Sequence, residues 1–350
     1  MELPLLLKEL LQQGLEEGCY PGAAAACGDA SGLNFMCTAG QTGQGGAEVT
    51  LKTRYDMGSL TKVLSTAMLA LLALETGKLT LDDTLRRFYP DVPEDKQAIT
   101  IRQLMTHKAG FVPSFRLDRT VDLPEKALGA ILSRPLSKRP GEAVVYSCMG
   151  FILLGKILEE VLGEPLDQLA WKRVFRPLGM INTGYLPTGG NIAATETDPD
   201  TGLPLCGFVH DENARFLGGV SGNAGVFSDL SDMVLFAKIL SSGGAGLLSP
   251  AVFHQAVSCH TDGMETRRGL GFHLAGTPEN FMGDLMPLSA FGHTGFPGTS
   301  LAVDPETGFF VVLLSNRIHP RRENTKLFRF RRVFHNVLYA RYTLGRNHGC

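Results

Sequence analysis

Residues 59–76, SLTKVLSTAMLALLALET, constrain the fold more than any other stretch of the chain. The segment reads as a helix that is apolar nearly all round, closed by Gly77 as a C-cap. Such a helix has no face to give to water, so it must lie in the centre of the molecule with other elements packed around it. Its most apolar run, Val63 to Leu74, holds only about a dozen residues and is broken by Ser65 and Thr66, which suits a buried helix better than a bilayer span. One residue is out of character. Lys62 is charged, and burying it without a role would be costly, so it must face solvent or a polar site.

The remaining pattern divides the chain. Leu3, Leu6, Leu7, Leu10 and Leu11 fall at helical spacing. After the Pro21-Gly22 turn, Ala23–Cys27 and Leu33–Ala39 read as two strands joined by Gly28–Gly32. Thr80 and Asp83 suggest a variant capping box for a short helix, and Thr100–His107 a second one. Met149–Leu162 is periodic and apolar, with Gly163 and Pro165 closing it. Residues 184–222 are mostly loop, and Leu230–Leu240 is helical. Phe272–Leu274, Ser300–Val303 and Phe309–Ser315 read as strands, the last two joined by the turn Asp304–Gly308. In the last helix Leu327, Phe330, Phe334, Val337 and Leu338 share a face, opposite the solvated Arg329, Arg332 and Arg341. The expected fold is α+β: an antiparallel sheet domain from residues 1–78 and 240–350, a mainly helical domain from 79–239, and a cleft between them.

Composition excludes several function classes. With 33 Lys+Arg against 35 Asp+Glu, the net charge of −2 gives no pull toward nucleic acid or an anionic membrane. The 44% hydrophobic and 19% charged residues are those of a globular protein. Seven cysteines form no C-x-x-C pair and suit a reducing compartment. Glu2 stands where a signal peptide carries positive charge, and Lys8 and Glu9 interrupt the apolar run, so a cytoplasmic location is expected. Cys259-His260 with His254 fits no usual zinc spacing, and no metal or other cofactor is assigned. The expected partner is a small-molecule substrate, with the oligomeric state open.

Chemistry concentrates at Ser59-Leu60-Thr61-Lys62. Positions i and i+3 share a helical face, so the Ser59 hydroxyl and the Lys62 amine can meet. A hydroxyl is a weak nucleophile until a base stands beside it, and a helix N-terminus offers amides to a developing oxyanion. Alone the pair is weak: 17 serines and 12 lysines in 350 residues give about 0.6 chance matches to S-x-x-K. A capped helix with a solvated lysine reads equally well.

Two further motifs alter that balance: Tyr146-Ser147-Cys148 before an apolar helix, and His293-Thr294-Gly295 before a strand. The ordered set resembles the serine β-lactamase and penicillin-binding-protein superfamily, in particular class C β-lactamases, D-alanyl-D-alanine carboxypeptidases and related esterases, whose S-x-x-K, Y-x-N and K/H-T-G elements match in order. RYDMGSLTK, ITIRQLMTHKAG, VHDENARFLGGVSGNAGVFS and FGHTGFPGTSLAVDPETGFFVVLLSN extend the likeness over nearly the whole chain. The resemblance implies a serine hydrolase working through an acyl-enzyme on a small ester or amide. It makes Ser59 the nucleophile, Lys62 and Tyr146 the proton shuttle, and the backbone amides of Ser59 and Phe296 the oxyanion hole. Cys148, His293, Thr294 and Gly295 become substrate-binding residues. A D-stereospecific peptidase or carboxypeptidase, a β-lactamase, and a non-catalytic binding or regulatory protein are the alternatives.

The pattern departs from the family at two places. Cys148 stands where an Asn is usual, and a thiol hydrogen-bonds weakly; it either serves the site or fills a small buried space. His293 stands where lactamases carry Lys, so its charge is expected to follow pH near neutrality and a substrate carboxylate would lose a permanent cation. His107 at a helix end, and His210 beside Asp211 and Glu212, read as structural or loop-tethering. Gly218, Gly219, Gly222 and Gly225 form no phosphate loop.

Overall fold

The structure, a computed structural model, describes residues 2–198, 201–278 and 280–347. Cys350 lies outside them. Among the described residues nine strands form two sheets: β1 (Gly22–Gly28), β2 (Asn34–Gly40), β3 (Tyr55–Asp56), β4 (Gly184–Tyr185), β5 (Val226–Ser228), β6 (His273–Leu274), β7 (Phe291–Thr294), β8 (Ser300–Val303) and β9 (Phe310–Ser315). The larger sheet is antiparallel in the order β2-β1-β9-β8-β7-β6, so it is assembled from both ends of the chain. The smaller one has the order β3-β5-β4.

The alanines of β1 explain how this sheet is covered on both faces. Side chains alternate across a strand. Ala24 and Ala26 join one core, with Leu64 and Met68 of the central helix. Ala23, Ala25 and Cys27 join another, with Leu7 and Leu11 of the N-terminal helix Leu3–Glu16 and Phe334 and Leu338 of the C-terminal helix Lys326–Asn347. Small side chains let helices close in from both sides. The first core runs on without a break into Leu104, Phe151 and Leu158. The helical segment expected as a separate lobe therefore shares its interior with the sheet. The helix Leu230–Ser241 straddles the boundary expected at 239/240 and packs on β1, β8 and β9.

The central helix is less regular than its sequence suggests. It opens with a 3₁₀ turn at Gly58–Leu60, widens to a π-helical turn over Lys62–Thr66 and becomes α-helical from Ala67 to Glu75. Single π turns are frequent at functional sites. Gly58–Glu75 is long and apolar enough to cross a membrane, and 78% of it is buried inside the protein.

Two local expectations shift. The Asp83 carboxylate accepts from the Thr80 amide at 2.7 Å, but the next helix starts only at Leu85, after Thr84. The reciprocal capping box lies instead at Thr100 and Gln103, heading the helix Ile101–Met105. Within 184–222, the loop contains β4 and a short helix, Glu212–Phe216, capped by the Asp211 carboxylate.

Candidate active site

On a turn otherwise packed away from water, Ser59 is partly exposed, while Lys62 is 0% exposed. The Lys62 ammonium donates to Ser59 Oγ at 2.9 Å, to the Asn223 carbonyl at 3.1 Å and to Cys148 Sγ at 3.7 Å. Tyr146 is a further hydrogen-bond partner of the same ammonium. Burial works against the charged form, but the acidic groups of Cys148, Tyr146 and Asp211 outweigh it and raise Lys62 above the ordinary lysine value. Lys62 thus holds the serine oxygen from a buried position.

Tyr146 faces this pair from the segment before the helix Cys148–Leu162, with its ring centroid 5.0 Å from Lys62 Nζ. The segment is tied down on every side. Val145 N donates to the His107 carbonyl at 2.9 Å, Ser147 N to His107 Nδ1 at 3.1 Å, and Cys148 N to the Pro113 carbonyl at 3.0 Å. The Ser147 hydroxyl donates to the Val112 carbonyl and, as N-cap, accepts from Met149 N.

The third wall is the turn after β7. Gly295 is pressed on the serine-bearing turn: a Cβ there would lie 2.2 Å from the Met57 carbonyl oxygen. Gly58, at φ +51°, meets the same turn from the other side, and a Cβ on it would lie 3.1 Å from Phe296 N and 2.5 Å from Pro297 Cδ. This contact sets the Phe296 amide against Gly58, the residue before Ser59. Asp56 fixes the approach, its buried carboxylate accepting from Gly58 N at 2.8 Å and from His210 N at 2.6 Å. Burial raises its pKa, against those two hydrogen bonds.

Ser59, Tyr146, Cys148, Phe296 and Pro297 line one cavity of about 310 Å³, closed by Ser114, His210, Asp211, Glu212 and Arg322. At the rim His210 stacks on Phe296, with centroids 5.5 Å apart, and its Nε2 lies 2.6 Å from Glu196. Arg322 pairs with Glu196 and Glu212. Arg317 covers the Phe296 ring at 4.7 Å. Behind Tyr146 stand three histidines, His107 and His293 buried and His273 partly exposed. His107 lies 4.4 Å from its ring, and His273 and His293 lie 6.1 Å away. Burial first, then the charges of Lys62 and Arg268, hold all three well below the usual histidine range, so they are neutral.

The structure brings Ser59, Tyr146, Cys148 and Phe296 to one cavity, with Lys62 buried beneath it against Ser59 and Cys148. Cys148 is partly exposed there and touches Lys62, so it is not a buried filler. His293 differs from expectation: it is 1% exposed, packs behind Tyr146 and is neutral, so its charge does not follow pH near neutrality. Thr294 opens onto another cavity, of about 850 Å³, with Phe281, Phe328 and Arg331. Two participants escaped the sequence. The Asn223 carbonyl is a backbone group that no residue type announces, although its segment stood among the familial ones. Arg268, 5.3 Å from the Tyr146 ring centroid, belongs to no motif. No group of three or more metal-ligating side chains occurs among the described residues.

The Beta-lactamase family model matches residues 7–335 of this chain. The chain belongs to the beta-lactamase family. A putative D-alanyl-D-alanine carboxypeptidase of Escherichia coli (strain K12) is 33% identical over 313 residues, covering 78% of this chain and 71% of that protein. Among solved structures, EstCE1, a hydrolase with promiscuous acyltransferase activity, superposes with a TM-score of 0.77 at 24% identity over 96% of this chain and 98% of its own. A class C beta lactamase from Rhodobacter sphaeroides gives 0.75 at 20% identity over 96% and 99%. These two share the fold. Family and constellation together make this beta-lactamase-family protein a serine hydrolase.

Proposed function

We propose that the protein hydrolyses a small ester or amide through an acyl-enzyme on Ser59. The observation that carries the reading is the 2.9 Å contact from the buried Lys62 ammonium to the oxygen of Ser59, which lines a cavity shared with Tyr146 and Phe296. Tyr146, a hydrogen-bond partner of Lys62 that lines the same cavity as Ser59, is the proton carrier. Ser59 Oγ bonds to the acyl carbon and its proton passes to the Tyr146 oxygen. The carbonyl oxygen gains the electron pair and takes the Ser59 and Phe296 amides as donors. Collapse breaks the bond to the leaving group, which receives the proton from Tyr146. Water then repeats the sequence on the ester and frees Ser59.

The cavity, at the small end of the range for ligand sites, favours short acyl groups. His293 supplies no cation for a substrate carboxylate, and Arg322 is engaged by two glutamates. Both features favour uncharged esters or small amides over penicillins. The carboxypeptidase name of the Escherichia coli relative supports a second reading, a D-stereospecific peptidase. The six described cysteines are free thiols, which supports a reducing, cytoplasmic location. Short- and long-chain esters, D-amino-acid amides and a chromogenic cephalosporin, assayed beside Ser59→Ala, test the proposal. Short esters should turn over fastest and the cephalosporin slowest, with Ser59→Ala inert throughout. Turnover that survives in Ser59→Ala would overturn the reading, and a preference for D-amino-acid amides would select the peptidase.

A further inference from the structure

His107 is the only histidine among the described residues with a left-handed backbone, at φ +58°. Few non-glycine residues sit there, and those that do cluster at functional sites. It is 3% exposed. Its carbonyl accepts from Val145 N at 2.9 Å and its Nδ1 from Ser147 N at 3.1 Å, so one residue grips the backbone on both sides of Tyr146. Its ring also packs 4.4 Å from the Tyr146 ring and 5.1 Å from that of Phe151.

We propose that His107 is a positioning residue: a neutral imidazole whose Nδ1 lone pair, presented by the left-handed backbone, sets the Tyr146 phenol against Ser59. The inference rests on Tyr146 being the proton carrier proposed above. A ring that accepts at Nδ1 must carry its proton on Nε2. Burial, with the charges of Arg268 and Lys62, holds the pKa of His107 well below the usual histidine range, which keeps the Nδ1 lone pair available to Ser147 N. His107 touches no reacting atom; it acts through the backbone of residues 145–147.

Two substitutions separate positioning from packing. His107→Phe keeps the ring and removes the acceptor, whereas His107→Asn loses volume but keeps a side-chain acceptor and tolerates a left-handed backbone. Positioning requires His107→Phe to lower kcat by about 100-fold with KM within about threefold, and His107→Asn to keep at least about tenfold more kcat than His107→Phe. The reverse order, Phe active and Asn poor, is that of a space-filling ring and would overturn the inference. Nitrogen NMR of the unaltered protein gives a readout independent of how the variants fold. It should find His107 as the Nε2–H tautomer, and the Nδ1–H tautomer would contradict the proposal. Tyr146→Phe distinguishes the two levels. If it stays active, the role of Tyr146 is wrong. If it is inactive while His107→Phe works normally, only the role of His107 is wrong.

Discussion

Gly58 joins the serine-bearing turn to the Phe296 amide, and replacing it should disturb catalysis more than folding. At φ +51° an alanine meets a left-handed backbone, which costs about 1–2 kcal/mol. Its Cβ would also lie 2.5 Å from Pro297 Cδ, about 1 Å short of ordinary carbon–carbon contact. Either the 296–297 turn or the serine turn must yield by that distance, and a misplacement of about 1 Å in a catalytic array costs about 100-fold in rate. Gly77 is the matched control. It caps the far end of the same helix at φ +68°, and a Cβ there meets nothing within 4 Å. Both variants should lose about 1–2 kcal/mol in urea denaturation, with Gly58→Ala losing somewhat more because of the contact. In steady-state assays with a short chromogenic ester, Gly58→Ala should lose about 100-fold in kcat and Gly77→Ala should match the parent. Equal turnover in the two variants would refute the assignment of the Phe296 amide to the site.

Other perturbations follow from the same contacts. Lys62→Met removes the ammonium from Ser59 and should lower kcat by about 10²–10⁴-fold with the fold retained, checked by turnover and circular dichroism. Cys148→Ala removes only the long, weak contact to Lys62, which keeps Ser59 and Asn223; kcat should stay within about tenfold of the parent. His335 is 0% exposed, and burial holds its imidazole down to about 3. Its neutral form contributes fully above the unfolded value of about 6.5 and that contribution is lost as pH falls toward 3. Acidification from pH 7 to 4 should therefore remove up to about 3 kcal/mol, and denaturation midpoints of His335→Gln should fall less over that range.

Much of this was legible in the chain because it is local. The spacing of Ser59 and Lys62 follows from one helical turn, and a helix apolar all round can only be central. The strands Ala23–Cys27 and Phe309–Ser315 announced themselves by apolar runs and turn residues, though not their pairing at the middle of the sheet. The longer-range contacts were not legible. Lys62 finds the Asn223 carbonyl 161 positions away, and Ser147 finds His107 across 40, through atoms that carry no sequence signal. The burial of His293 is not legible in the sequence because β7 is too short for an alternating pattern to show which face it gives to the core. Thr80 and Asp83 formed a turn rather than a cap, because the helix waits for Leu85, where apolar packing begins.

Covalent capture of the acyl-enzyme tests the central claim most directly. The protein, treated with a fluorophosphonate or a slowly deacylating ester, is digested and the modified peptide identified by mass spectrometry. A single adduct on Ser59, absent from Ser59→Ala and slowed in Lys62→Met, is the expected result. Modification of the folded protein at Cys148 instead, or labelling that persists in Ser59→Ala, would contradict the account.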